Sequence, residues 1–304
     1  MSSPVDDPRP LDELRFALAE ADAEAPPAGL RTRVVRVALD HRAAGRPLDA
    51  PEGIDGVEVF RRTVRSLDDL LRELGPAEWR RTALRGLDVQ GLVGHLIGVE
   101  ANFLAALDGR AGDTSDHVGS SQSGVERQRR RSPAETRREW AGATDATFDR
   151  LAGRPSGGED APVTLHGITL PLDVMLVVRA FEMWTHEEDI RTATGRPLLA
   201  PDPPRLARMT QLATTLVPYG MSRVGRPLGR RTLRLVLTGP GGGTWPLTDG
   251  VTGDEADAVV VADAVAFCRL AADRVPSESL VAKVLGDEEL GEDLLVGVRA
   301  LALD

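Results

Sequence analysis

The chain has 304 residues, 41% of them hydrophobic and 28% charged, with a formal net charge of −10. That length and balance fit a globular protein of more than one domain, and the acidic total argues against nucleic acid as a main partner, because phosphate binding needs a concentrated basic surface. No apolar run approaches the ~18–20 residues of a membrane span, and the polar start MSSPVDDPRP lacks both regions of a secretory signal, so the expectation is a cytoplasmic protein with no membrane partner.

In chain order, residues 1–52 are expected to form a helical extension. LDELRFALAEAD follows Pro10, AGLRTRVVRVALDHRA follows Pro26 and Pro27, and PLDAPEG closes the segment as a linker. Residues 53–200 then give four helical segments at 54–74, 88–109, 132–152 and 171–193. In the first, Val57, Phe60, Val64, Leu67, Leu70 and Leu71 recur at helical spacing. The second carries Leu92, Leu96, Val99 and Phe103 on one stripe. The third opens with SPAET, in which Ser132 caps, Pro133 takes the first helical position and Glu135 completes a capping box. The fourth ends at Gly195, before Pro197. Four helices of about twenty residues predict a four-helix bundle. The connections after the second and third are roughly 18–22 residues long, a length that in compact domains often carries function. The basic run RQRRRS at 127–132 sits in the first of them and reads as a solvated helix start or loop.

The pattern changes after residue 200, and 201–304 reads as a small α+β domain. RLARMTQLATTLVPYGM is a helix. TLRLVLT, the turn GPGGG and TWPLT form a hairpin, DAVVVAD is a third strand, and helices follow through AVAFCRLAADR and GDEELGEDLLVGVRAL. GPGGG is not a phosphate loop, since no Lys-Ser/Thr and no helix follow it. Cys268, in AVAFCRLAA, is the single cysteine and reads as a small buried hydrophobe. A disulfide, a Cys-rich zinc site and a two-cysteine redox centre are therefore excluded, and any thiol chemistry takes its thiol from outside the chain.

The stretch RAFEMWTHEEDIRTATGRP, residues 179–197, carries the chemistry. Glu182 and His186 lie four apart on one stripe of an otherwise apolar helix, and His95 shares a stripe with Leu92, Leu96 and Val99 in the second segment. A buried carboxylate and imidazole are costly unless paired, hydrogen-bonded or bound to metal. Two readings stay open on spacing alone. Arg179 can pair with Glu182, His186 can bond Glu182 or Asp189, and His95 can be a satisfied core histidine. Alternatively, His95, Glu182 and His186 form a two-histidine, one-carboxylate set for a divalent ion such as Zn²⁺, with a position left for water or substrate. Asp189 is then placed to hydrogen-bond His186 and fix its tautomer. His166, in VTLHGITL, is a candidate cofactor-binding residue at the mouth of such a site, or a plain loop or short-strand histidine.

LDVQGLVGHLIGVEANFL and RAFEMWTHEEDIRTATGRP resemble the mycothiol-dependent maleylpyruvate isomerase family of the DinB-like metalloenzyme superfamily. The matching patterns are V-x-x-L-x-x-H-L and R-x-x-E-x-x-x-H-x-x-D-I-x-x-A-x-G-R-P, and WPLT, ADAVAF and LGDEEL are similar to the family's small second domain. The resemblance covers roughly residues 53–304 and implies an N-terminal DinB-like four-helix bundle (53–200) followed by a small α+β, sterol-carrier-like domain (201–304). It implies His95, Glu182 and His186 as metal ligands, mycothiol as the thiol cosubstrate, and either S-transfer to an electrophile or cis–trans isomerisation. A second-domain arginine is the expected anchor for a substrate carboxylate, with Arg234 as the catalytic candidate and Arg231 beside it. P-x-G-L-R-x-R-V at 27–34 is similar to segments of bacterial anti-sigma factors. The competing reading is therefore a non-enzymatic, metal-containing regulator that docks a protein partner through residues 1–50.

Overall fold

A computed structural model of the chain describes residues 52–110, 116–154, 157–248 and 256–302. The chain separates into two units, 1–43 and 44–304, and every described residue lies in the second. The helices expected within residues 1–50, and His41, lie outside the described residues.

The four predicted bundle helices are present as α1 (Gly56–Glu73), α2 (Val89–Leu107), α4 (Pro133–Ala152) and α5 (Leu172–Thr194). Each start has a local cause. The Asp55 and Asp88 side chains accept the backbone N–H of Glu58 and Gly91, and Ser132 with Glu135 makes the capping box read from the sequence. α1 packs chiefly on α5, and α2 also packs on α4. Among the described residues, α2 is long and apolar enough to meet the length and composition of a membrane span, which the sequence reading had discounted, but two-thirds of that stretch is buried inside the protein and it serves as a core helix.

The two long connections are not loops. The first contains α3 (His117–Gln128), which packs along α2. The second contains a hairpin of β3 (Pro162–Leu165) and β4 (Ile168–Pro171) that leads directly into α5. A matching hairpin of β1 (Thr82–Leu84) and β2 (Leu87–Asp88) leads into α2. Their turns repeat the same chemistry. Arg85–Gly86 (φ 47° and 78°) and His166–Gly167 (φ 50° and 76°) both take two left-handed residues, as tight hairpin turns require. α2 and α5, the helices that carry His95, Glu182 and His186, are thus each fed by a hairpin. The basic run at 127–132 closes α3 and turns into the α4 cap, with Arg127 and Arg131 both paired to Glu139.

Beyond α5 come α6 (Pro203–Arg223), β5 (Leu233–Thr238), β6 (Gly243–Leu247), β7 (Ala258–Asp263), α7 (Ala264–Ala271), β8 (Lys283–Gly286) and α8 (Glu288–Arg299). The sheet runs β6-β5-β7-β8; β5 pairs antiparallel with β6 and parallel with β7. The predicted hairpin and third strand are present, and β8 is an addition that the sequence reading did not foresee. Leu233, Leu235, Leu237, Val260 and Ala262 line the sheet face that joins one continuous core with Leu206 and Met209 of α6, Phe267 of α7 and Leu294 of α8. The molecule is a helical domain followed by a small α+β domain.

Candidate metal centre

His95, Glu182 and His186 converge. Their ligand atoms lie within 4.8 Å of one another, and the two imidazole rings stand 5.4 Å apart and nearly perpendicular. Both histidines are buried, and the Glu182 side chain keeps 18% of its surface exposed, so the cluster sits at the edge of the core.

Each of the three is held by a partner of its own. His95 Nδ1 meets Ser121 Oγ at 2.6 Å, and His186 Nδ1 meets Asp189 Oδ2 at 3.0 Å. An ionised carboxylate only accepts, so the bond to Asp189 places a proton on His186 Nδ1 and makes Nε2 the nitrogen of a neutral ring that can act as a donor to a metal. Glu182 directs Oε2 to Arg179 and Oε1 to His95 Nε2, 3.3 Å away. The ion-pair alternative and the metal geometry are therefore both present. Arg179 occupies one oxygen of Glu182 and leaves the other facing the histidines.

Arg179 is itself fully buried and spans from Glu182 to Glu100 Oε1 at 2.7 Å. Burial disfavours its charge, but Glu182 and Glu100 outweigh that and hold its pKa above the usual arginine range. Glu100 is completed by the Thr147 hydroxyl at 2.9 Å. Two imidazoles and one carboxylate oxygen, each oriented by a second hydrogen bond, form a donor set that fits a divalent ion of borderline softness such as Zn²⁺.

The sequence reading did not include Ser121, and its placement has a clear cause. His95 lies between Gly94 and Gly98, and α3 crosses α2 there. A Cβ on Gly98 would stand 2.9 Å from Cα of Ser121, and one on Gly124 of α3 would stand 2.6 Å from the Gly94 carbonyl. Only bare glycines allow the approach that brings Ser121 to His95. The VGHLIG pattern carried that signal. Glu100, a carboxylate inside an apolar stripe of α2, carried another.

The second domain reaches the same end of α5. Arg274 donates Nε and Nη2 to Asp189 at 2.7 and 2.8 Å, and Arg269 donates to Glu188 at 2.6–3.0 Å. Arg234 lies on β5 between Pro246 and Val259, on the sheet face opposite Leu233 and Leu235. Arg231 is bound to Asp293 and to the Pro227 and Leu228 carbonyls. His166 is half-buried at the turn of the β3–β4 hairpin. Cys268 is fully buried, and burial pushes its thiol far above the ordinary range. It is no nucleophile.

Residues 60–191, which include all three converging side chains, match the family model described as the mycothiol maleylpyruvate isomerase N-terminal domain. Among solved structures, the fold is similar to a crystal structure of the mycothiol-dependent maleylpyruvate isomerase, at a TM-score of 0.54 and 16% identity over 75% of this chain and 91% of that one. A histidine-to-alanine mutant of that isomerase is similar at a TM-score of 0.53 and 17% identity, with the same coverage. No curated protein matches the chain.

Proposed function

We propose that this chain, whose residues 60–191 belong to the mycothiol maleylpyruvate isomerase N-terminal domain family, is a metal-dependent enzyme that uses a low-molecular-weight thiol of the mycothiol class. The convergence of His95, Glu182 and His186 within 4.8 Å carries this reading. A divalent ion held by these three, Zn²⁺ by the chemistry of the donors, supplies a Lewis acid that lowers the pKa of a thiol toward neutrality.

The chain's own residues do the rest by orientation. Ser121 and Asp189 fix the rings of His95 and His186, and Arg179 holds one oxygen of Glu182 while the other faces His95. The inert Cys268 supports an external thiol. That thiol supplies the nucleophile. Added to an electrophile and kept, it gives a thioether; added to a conjugated cis alkene and expelled after rotation about the C–C bond, it gives the trans isomer with no net change of atoms. His166 at the hairpin turn is proposed to contact the thiol cosubstrate, and Arg234 to bind a substrate carboxylate. The division of labour proposed is an extension (1–52), a bundle holding the metal (53–200) and an α+β domain completing the site (201–304).

The test is metal content together with a thiol-conjugation and isomerisation assay using mycothiol, wild type against Glu182→Ala. Wild type is expected to hold about one divalent ion per chain and E182A to lose both metal and rate. Equal rates in the two proteins would end the catalytic reading.

A further inference from the structure

Arg274 sits in the second domain, yet its guanidinium closes on the bundle. It grips both oxygens of Asp189, and Asp189 Oδ2 in turn accepts from Nδ1 of His186. Asp189 is 7% exposed, so this carboxylate has little water to replace a lost partner. Arg274 is fixed from its own side too, with Nη1 donating to the Ala272 carbonyl at 2.7 Å.

The backbone that delivers Arg274 is unusual. α2, α5 and α6 end in the same motif, in which the N–H after a left-handed residue reaches back five residues: Arg110 to Ala105, Arg196 to Arg191, Arg226 to Met221. In those three the left-handed position is glycine (Gly109, Gly195, Gly225). α7 ends identically, with Arg274 N–H on the Arg269 carbonyl and Asp273 N–H on that of Leu270, but the left-handed residue is Asp273, at φ 54°. A side chain there is less favourable than glycine, and it is retained by a bond from Arg299 to Asp273 at 2.5 Å. The turn that aims Arg274 is thus over-determined from three directions.

We infer that Arg274 is a positioning residue for the metal ligand His186, acting through Asp189, so that the α+β domain sets how tightly the bundle holds its ion. The inference rests on the metal reading above. Arg269 provides the internal control. It makes an equally close bridge from α7 to the neighbouring Glu188, whose hydrogen bonds among the described residues go to Arg269. Both bridges join the domains, but only that of Arg274 ends on a carboxylate bonded to a histidine of the site.

The experiment uses the full-length protein, stripped with a chelator and reloaded. Zn²⁺ affinity is measured by competition with a chromophoric chelator, the visible bands of the Co²⁺ form are recorded, and thermal unfolding midpoints are taken for wild type, R274K, R274Q, R269Q and H186A. Loss of a group behind a metal ligand typically weakens metal binding by ~10–100-fold, which is the effect expected for R274Q. R274K, which keeps the charge but not the two-point grip, is expected to fall between R274Q and wild type and to shift the Co²⁺ bands. R269Q is expected to stay within about twofold of wild type in affinity, even where its midpoint drops as far as that of R274Q. If the Arg274 variants bind as wild type does while H186A does not, the inference is overturned and the metal site stands. If R269Q weakens binding as much as R274Q, the effect is one of domain docking and the inference is overturned. Should R274Q fail to fold, R274K decides the matter on both affinity and spectrum. A wild-type protein that binds neither ion removes the metal reading itself, which is visible before any variant is made.

Discussion

Glu100 shows how far a single buried charge can be committed. It is fully buried on α2, accepts from Arg179 and Thr147, and has no water to fall back on. Replacing Glu100 by Gln leaves Arg179 with Glu182 as its remaining carboxylate, and weakening a buried hydrogen-bonded network in this way costs about 1–3 kcal/mol. Urea unfolding of E100Q is therefore expected to show a loss of that size. The double variant E100Q/R179M, which also takes the charge partner from Glu182, is expected to be less stable than E100Q and to bind Zn²⁺ weakly, because Glu182 has lost the group that holds its second oxygen. At this scale the sequence was partly legible. The i,i+4 spacing of Glu182 and His186, and the place of His95 on an apolar stripe, put the three on one point. Arg274 could not be read, because its contact with Asp189 depends on how α7 stops and on the packing of two domains, and neither leaves a local pattern.

Among the elements, α3 makes the clearest case. Its sequence, HVGSSQSGVERQ, has little helical amphipathicity and was read as loop, because small residues give no apolar periodicity. Its partner is equally smooth: Gly94 and Gly98 on α2 face Gly124 and Ser121, so the packing rests on close backbone approach. A side chain at Gly98 must push α3 away. G98V is expected to weaken Zn²⁺ binding by roughly tenfold by withdrawing Ser121 from His95, and S121A should reproduce the metal loss without the accompanying drop in unfolding midpoint. Unequal metal loss in the two variants would mean that α3 acts by something other than Ser121. The two hairpins escaped notice for a related reason. Strands of two to four residues are too short for alternation to register, and only their Arg–Gly and His–Gly turns carried a signal.

For the whole molecule, the bundle and the α+β part share one core and are joined by arginine–carboxylate bridges from Arg62, Arg208, Arg269 and Arg274, and residues 1–43 lie outside the described residues. A regulator and a catalyst differ here. If the protein is the enzyme proposed, removing residues 1–43 should leave Zn²⁺ affinity and thiol-dependent turnover within about twofold of wild type, since every proposed ligand lies beyond that cut. A loss of turnover with metal retained would favour the partner-docking role. The bundle has a further property. α1 leans mainly on α5, and α2 on α3 and α4, so the helices sort into two halves. Across the seam, Arg179 of α5 meets Glu100 of α2, and Glu182 meets His95. A seam that carries charges beside its apolar contacts is one that a small cation can tighten. The residues that would hold the ion would then also govern how readily the two halves breathe apart, and catalysis and mechanical cohesion would draw on the same few atoms.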